Sequence, residues 1–148
     1  MYEPSITANG LYRYNELYYG QTLCDIAEKT HEHLSNQCGW FYRKLVPGQF
    51  GYDNMIVSIG HLLDNYNENL SIDEMASLIH IGWIINYKYW RDNEPYIYND
   101  HYKKSAKKLN DNKRNICAES TFNDLGLDDK NQNLIMVDVI KKILFDGN

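Results

Sequence analysis

Residues 71–95 read SIDEMASLIHIGWIINYKYWRDNEP, and this stretch decides the fold. Ser71 and Glu74 form a capping box, in which each side chain accepts a hydrogen bond from a free backbone N–H at a helix start. Pro95 marks the end of the predicted helix. Apolar residues recur on two sides of it: Ile72, Met75, Ala76, Ile79, Trp83 and Trp90 on one, Leu78, Ile81, Ile85 and Tyr89 on the other. This pattern predicts a central helix covered by its neighbours.

Two more helices are predicted before this segment. Thr22–Asp25 resembles a second capping box, and apolar residues at helical spacing continue through Cys38. Residues 46–48, Val-Pro-Gly, stop that helix because proline disfavours a helical residue before it. Asp53 is the predicted N-cap of the next helix, and the polar run 64–69 is predicted to be a turn.

The segment after Pro95 contains shorter elements and a last helix. Residues 96–100 are predicted to be a loop or a short extended piece, and residues 102–109 a short helix. Residues 116–127 are predicted to be a loop with one turn. Asp128 or Asp129 would cap the final helix, whose predicted inward residues are Leu134, Val137, Ile140 and Leu144.

Length and composition fit one globular domain. The chain has 148 residues, of which 43% are hydrophobic and 24% charged. Residues 1–21 show no clear period, and both an extended segment and a short helix fit them. We therefore predict an all-α bundle of four to five helices in a single domain spanning residues 1–148, without a β-hairpin.

The sequence carries no membrane or secretion signal. No apolar run approaches the roughly 18 residues that a membrane span needs, and residues 1–10 lack a basic start and an apolar stretch. We expect a cytoplasmic protein, in the host cytoplasm if a phage encodes it; abundant Asn, Tyr, Ile and Lys indicate an AT-rich genome. Cys24, Cys38 and Cys117 lack zinc-ligand spacing, which favours reduced thiols.

Charge is unevenly distributed. The net charge of −5 argues against general nucleic-acid binding, which needs a basic surface. Residues 101–114 nevertheless carry a basic block, and residues 119–138 carry an acidic one. Such blocks are typical of solvated faces, and neighbouring opposite blocks can pair with each other. An anion-binding surface is the alternative interpretation.

Patterns for catalysis are absent from the sequence. It has no glycine-rich phosphate loop, no His-Glu-x-x-His and no Gly-x-Ser-x-Gly. His31 and His33 would lie on different faces of a helix, so they cannot chelate one metal together. The carboxylate spacing of helical magnesium-dependent nucleotide hydrolases is not met either. We expect no enzyme activity, no metal site and no cofactor.

The order of motifs in residues 71–145 resembles the RyR domain, a small helical repeat named after ryanodine receptors and also found in bacterial and phage proteins. Ala76, His80 and Trp83 stand at its Ala-x-x-x-His-x-x-Trp spacing. A basic segment, the turn Phe122–Leu125 and the acidic helix start 128–130 follow in the same order. The resemblance covers about the last half of the chain and implies a helical domain that recognises nucleotide-derived molecules.

Residues suited to such a ligand occur in this half. Tryptophan and tyrosine rings offer flat faces for a base, arginine and lysine donate to phosphates, and a histidine can donate from the floor of a pocket. The predicted ligand-binding residues are His80, Trp83, Trp90, Arg91, Tyr96, Tyr98, Lys103, Lys104, Lys107 and Arg114. For His80 and Trp83, packing in the core is the competing interpretation.

Two functions fit these features. The first is non-catalytic binding of a small nucleotide-derived ligand by a homo-oligomer, for example a phage sponge that sequesters an immune second messenger. The second is a protein-protein interaction module that inhibits or docks on a host or phage protein. It would use the tyrosine-rich N-terminal segment and the acidic C-terminal block.

Overall fold

The computed structural model describes residues 17–18, 21–38, 50–93, 96–98, 106–108 and 112–144. Its α-helices are α1 Leu23–Cys38, α2 Phe50–Asp64, α3 Ile72–Asn93, α4 Asn112–Ala118 and α5 Leu127–Leu144. Strands β1 Leu17–Tyr18 and β2 Gln21–Thr22 pair antiparallel, as do β3 Tyr96–Tyr98 and β4 Ala106–Lys108. The predicted all-α bundle is confirmed. None of the described helices combines the length and apolarity needed to cross a membrane.

Helix α3 lies at the centre of the described helices. It packs against α2, α4 and α5, while α1 packs against α2 and α5. Apolar side chains from these helices and from the turn at Phe122–Asp124 form the main core. The predicted central position of α3 is therefore confirmed, but two of its apolar residues are exposed. Ile72 is 44% exposed and Ile81 is 41% exposed.

Both predicted capping boxes are present. The Ser71 hydroxyl accepts a hydrogen bond from the Glu74 backbone N–H at 3.0 Å, and the Glu74 carboxylate accepts one from the Ser71 N–H at 2.8 Å. Thr22 and Asp25 make the same exchange, at 3.1 and 3.4 Å. Each box satisfies two backbone donors that a helix start leaves free. These local contacts set the starts of α1 and α3.

Two other helix starts differ from the prediction. Helix α2 begins at Phe50, so Asp53 lies inside it and is not the N-cap. Helix α5 begins at Leu127, which places Asp128 and Asp129 in its first turn. Carboxylates there still suit the positive end of the helix dipole. The polar turn between α2 and α3 is confirmed.

The segment between α3 and α5 differs most from the prediction. Residues 106–108 form a strand, not part of a helix, and pair with residues 96–98. Residues 112–118 form helix α4, where residues 116–118 were predicted to lie in a loop. The partner of a short strand lies outside a local sequence window. The apolar residues of 102–109 have helical spacing, so they predicted a helix and not this pairing. The absence of a hairpin was therefore a wrong prediction.

Candidate functional site

Three rings on one side of α3 form a parallel stack. The His80 and Trp83 ring centroids are 5.9 Å apart with an interplanar angle of 10°. Those of Trp83 and Tyr87 are 5.1 Å apart at 3°. The residues are three and four positions apart, which is the spacing that brings side chains together along a helix. Trp83 thus makes one near-parallel ring contact toward the start of α3 and another toward its end. We call these three residues the ring stack.

A hydrogen-bonded group continues the ring stack toward the end of α3. The Tyr87 hydroxyl donates to Asn115 Oδ1 at 2.6 Å, and Arg91 donates to the same oxygen through a terminal guanidinium nitrogen at 3.1 Å. The Arg91 guanidinium also lies over the Tyr87 ring, 5.6 Å from its centroid. Such a cation–π contact fixes the cation against the ring face. Tyr87, Arg91 and Asn115 are called the arginine cluster below.

Arg91 carries a permanent positive charge at a partly exposed position. Its side chain is 23% exposed, and its Nε donates to Asp92 Oδ1 at 3.0 Å. The hydrogen bond to Asp92 raises the pKa of Arg91 above its usual value. A guanidinium held by three neighbours loses little further side-chain freedom when it binds an anion. The geometry suits recognition of a carboxylate or phosphate, with Asp92 as a competing partner.

Two further contacts attach the segment 115–120 to α3. His80 Nε2 donates to the Ser120 carbonyl oxygen at 2.8 Å. Lys88 and Glu119 form an ion pair at 3.2 Å. The His80 bond satisfies the ring nitrogen of a histidine that is only 3% exposed. The segment 115–120 is therefore held against α3 along the whole ring stack.

The predicted ligand-binding residues occupy different environments. His80 and Trp90 are buried, Trp83 and Arg91 are partly buried, and Arg114 is exposed on α4. Trp90 packs with Tyr87 and Ala118 in a small second core. The structure brings His80, Trp83 and Arg91 together along one side of α3. Burial of His80 and Trp90 is typical of packed core residues.

Three more of the predicted residues, Tyr96, Tyr98 and Lys107, lie in the β3–β4 pair. Tyr96 pairs with Lys108, Ile97 with Lys107, and Tyr98 with Ala106. Strand β3 begins three residues after α3 ends, so this register brings the backbone of the lysines close to that end of α3. Lys103 and Lys104 lie outside the described residues.

No protein-family model, curated protein or solved structure matched this chain. Its function therefore has to be inferred from its own side chains.

Metal binding has no visible basis in the described residues. No group of three or more His, Cys, Asp or Glu side chains in that part of the chain could hold a metal ion. Cys117 instead donates to the Asp129 carboxylate at 3.6 Å, which joins α4 to α5. This contact ties the short helix to the main bundle.

Sequence reasoning missed two residues of the arginine cluster. Tyr87 lies four residues after Trp83 and four before Arg91, so helical spacing could have revealed it. Asn115 gives no such signal, since it is 24 residues from Arg91 and belongs to another helix. Only packing of α4 on α3 brings it to the site.

Proposed function

We propose that this chain binds a small nucleotide-derived molecule without transforming it. The observation that carries the proposal is the Arg91 guanidinium, which is partly exposed and held between Tyr87 and Asn115. A fixed, permanently charged guanidinium suits phosphate because it can donate two parallel hydrogen bonds. The RyR-like order of motifs in residues 71–145 points to the same class of ligand.

Basic residues near Arg91 support an anionic ligand. The β3–β4 register places Lys107 and Lys108 beside residues 97 and 96, a few positions after Arg91. Arg114 is exposed on α4 next to Asn115. We propose that these cations share one site with Arg91, which would favour a ligand with more than one negative charge. A messenger molecule with two or more phosphates is therefore the ligand class we favour.

The ring stack has a supporting role in this proposal. Trp83 makes near-parallel ring contacts with both His80 and Tyr87, and we assign it a packing role rather than contact with a base. Its contribution is to fix Tyr87, whose ring and hydroxyl in turn fix Arg91 and Asn115. A base would stack on other aromatic residues, for which Tyr96 and Tyr98 remain the candidates.

We extend the proposal to sequestration by a homo-oligomer, such as a phage protein that withdraws an immune messenger from its receptor. A binder of this kind releases its ligand intact, and a second subunit can enclose a small anion that one subunit leaves exposed. Both features follow from the proposed role.

Thermal unfolding in the presence of mononucleotides, cyclic oligonucleotides and ADP-ribose derivatives tests the proposal. A ligand at a hundredfold excess over its Kd stabilises the fold by about 2.7 kcal/mol. We expect one compound to raise Tm by several degrees and to be recovered unchanged. A panel without any shift would reject small-ligand binding, and recovery of an altered compound would reject the non-catalytic role.

Arg91→Gln locates the site once a ligand is found. The substitution removes the charge and two donors, so we expect Kd to rise at least tenfold. Lys88→Gln is the matched control, because Lys88 lies one turn earlier on α3 and pairs with Glu119. Equal losses in the two variants would mean a general charge effect and would remove Arg91 from the site.

A protein partner is the second candidate function, favoured by two exposed apolar residues. Ile116 is 68% exposed and lies three residues before the acidic block, while Leu127 is 73% exposed and lies within it. Exposed apolar residues with acidic neighbours suit a partner with a basic, partly apolar surface. If Ile116→Ser with Leu127→Ser abolished association with such a partner while the ligand panel stayed flat, this function would replace the first.

A further inference from the structure

Buried amide groups without hydrogen bonds lie on two facing helices. Asn86 on α3 is fully buried, and neither its Nδ2 nor its Oδ1 has a hydrogen-bond partner among the described residues. Asn54 on α2 has a buried Oδ1 in the same situation. A buried polar group without a partner is costly, and in native proteins nearly all such groups are satisfied by protein or by ordered water.

The packing of α2 on α3 places the two asparagines opposite each other. A Cβ atom added to Gly82 would lie 2.8 Å from both the Ser58 Cα and the Val57 carbonyl oxygen, so the helices nearly touch there. A short turn joins α2 to α3, and the two helices therefore run antiparallel. One helical turn from Ser58 toward the start of α2 is Asn54, and one turn from Gly82 toward the end of α3 is Asn86.

We propose that one buried water molecule bridges Asn54 and Asn86 between α2 and α3. Asn86 offers two hydrogens and an acceptor, and Asn54 offers an acceptor, which matches the two to four hydrogen bonds that a buried water makes. Direct contact between the amides does not satisfy them, because both Asn86 atoms are unbonded. The water would fix the register of α2 and α3 at Asn86, the residue that precedes Tyr87 on α3.

The first test observes the water in the native protein. We expect nuclear Overhauser cross-peaks between the Asn86 side-chain amide protons and a water molecule of long residence time. A high-resolution crystal structure should place that water within hydrogen-bond distance of both asparagines. If the crystal structure showed no water between the two asparagines and the spectrum showed no such cross-peaks, the proposal would be overturned.

The second test compares single and double substitutions. If the water bridges the amides, Asn86→Leu displaces it and leaves the Asn54 Oδ1 without a hydrogen-bond donor. The folding equilibrium constant should therefore fall about tenfold. Asn54→Leu should act in the same direction, and the double variant should lose less than the two single losses combined. If the Asn86→Leu protein were instead more stable than the wild type, the Asn86 amide would not be bound to a water molecule. The proposal would then be wrong.

Asn131→Leu is the matched control for this exchange. Asn131 is exposed on α5, so its substitution measures only the higher helix propensity of leucine. The effect at Asn131 is subtracted from the effects at the two buried positions. The spectroscopic test uses the unmodified chain, so it decides the matter even if a variant does not fold.

Discussion

The Tyr87 hydroxyl donates a 2.6 Å hydrogen bond to Asn115 Oδ1, and this bond joins the middle of α3 to α4. The same oxygen accepts a hydrogen bond from Arg91, so the Asn115 side chain binds both the Tyr87 hydroxyl and the Arg91 guanidinium. Tyr87 is fully buried, and this bond satisfies its hydroxyl inside the protein. This relationship makes the arginine cluster a structural unit as well as a candidate binding site.

Asn115→Ala should destabilise the protein more than Tyr87→Phe. The phenylalanine variant loses one hydrogen bond, at a cost of about 1 kcal/mol, while Asn115 Oδ1 keeps Arg91. The alanine variant removes the oxygen that accepts from both Tyr87 and Arg91, and it costs about 1–3 kcal/mol. Urea unfolding measures both free energies. Adding Tyr87→Phe to Asn115→Ala should then cost almost nothing, and additive losses would show that the two residues do not interact.

Gly82→Ala should separate α2 from α3. The added Cβ would meet backbone atoms of Ser58 and Val57 at 2.8 Å, and backbone cannot move aside without shifting a helix. We expect a loss of about 1–3 kcal/mol, measured as a lower urea midpoint. Gly126→Ala is the control, because nothing lies within 4 Å of its added Cβ. Equal effects at both glycines would contradict close packing at Gly82.

Ser71→Ala should weaken the start of α3. It removes the hydroxyl that accepts from the Glu74 N–H, and loss of such a cap costs about 1 kcal/mol. Ser71→Asp keeps an acceptor for the Glu74 N–H, so its Tm in thermal unfolding should stay close to that of the wild type. If the aspartate variant lost as much as the alanine variant, the cap would not be the source of the effect.

Stability should decrease below neutral pH because of His61. Burial lowers the pKa of this histidine, and the nearby Asp64 carboxylate opposes that effect only in part. The unfolded chain, with a histidine pKa of about 6.5, then binds more protons than the folded one. The His61 contribution is complete above pH 6.5 and is lost as pH falls through the lower folded pKa.

Urea unfolding between pH 7.5 and pH 5 measures this dependence. His61→Gln should flatten the profile, because the residue no longer titrates. His33→Gln serves as the control, since it makes the same substitution at an exposed histidine on α1. A profile that keeps its slope in His61→Gln would assign the effect to another group.

Local chemistry explains why some elements were predictable. The boxes at Thr22–Asp25 and Ser71–Glu74 are contacts between residues three positions apart, so their geometry follows from the sequence. Apolar spacing over residues 75–90 likewise identified α3. The start of α2 was missed because Asp53 resembles a cap yet lies inside a helix that begins earlier.

The candidate site was predictable only along α3. His80, Trp83 and Arg91 share one side of this helix, and periodicity places them there. Their partners come from elsewhere: Ser120 for His80, and Asn115 for Arg91. Residue spacing within α3 cannot reveal these partners, because their positions depend on how a second segment packs against α3.

Capping and apolar periodicity act within a few residues, so the amino-acid sequence is enough to predict a helical protein with α3 at its centre. Which side chains meet depends on the tertiary structure. It stacks Trp83 with both His80 and Tyr87, holds Arg91 between Tyr87 and Asn115, and brings Gly82 of α3 against the backbone of α2. These outcomes depend on the register between helices distant in sequence, and close packing, not local propensity, sets that register.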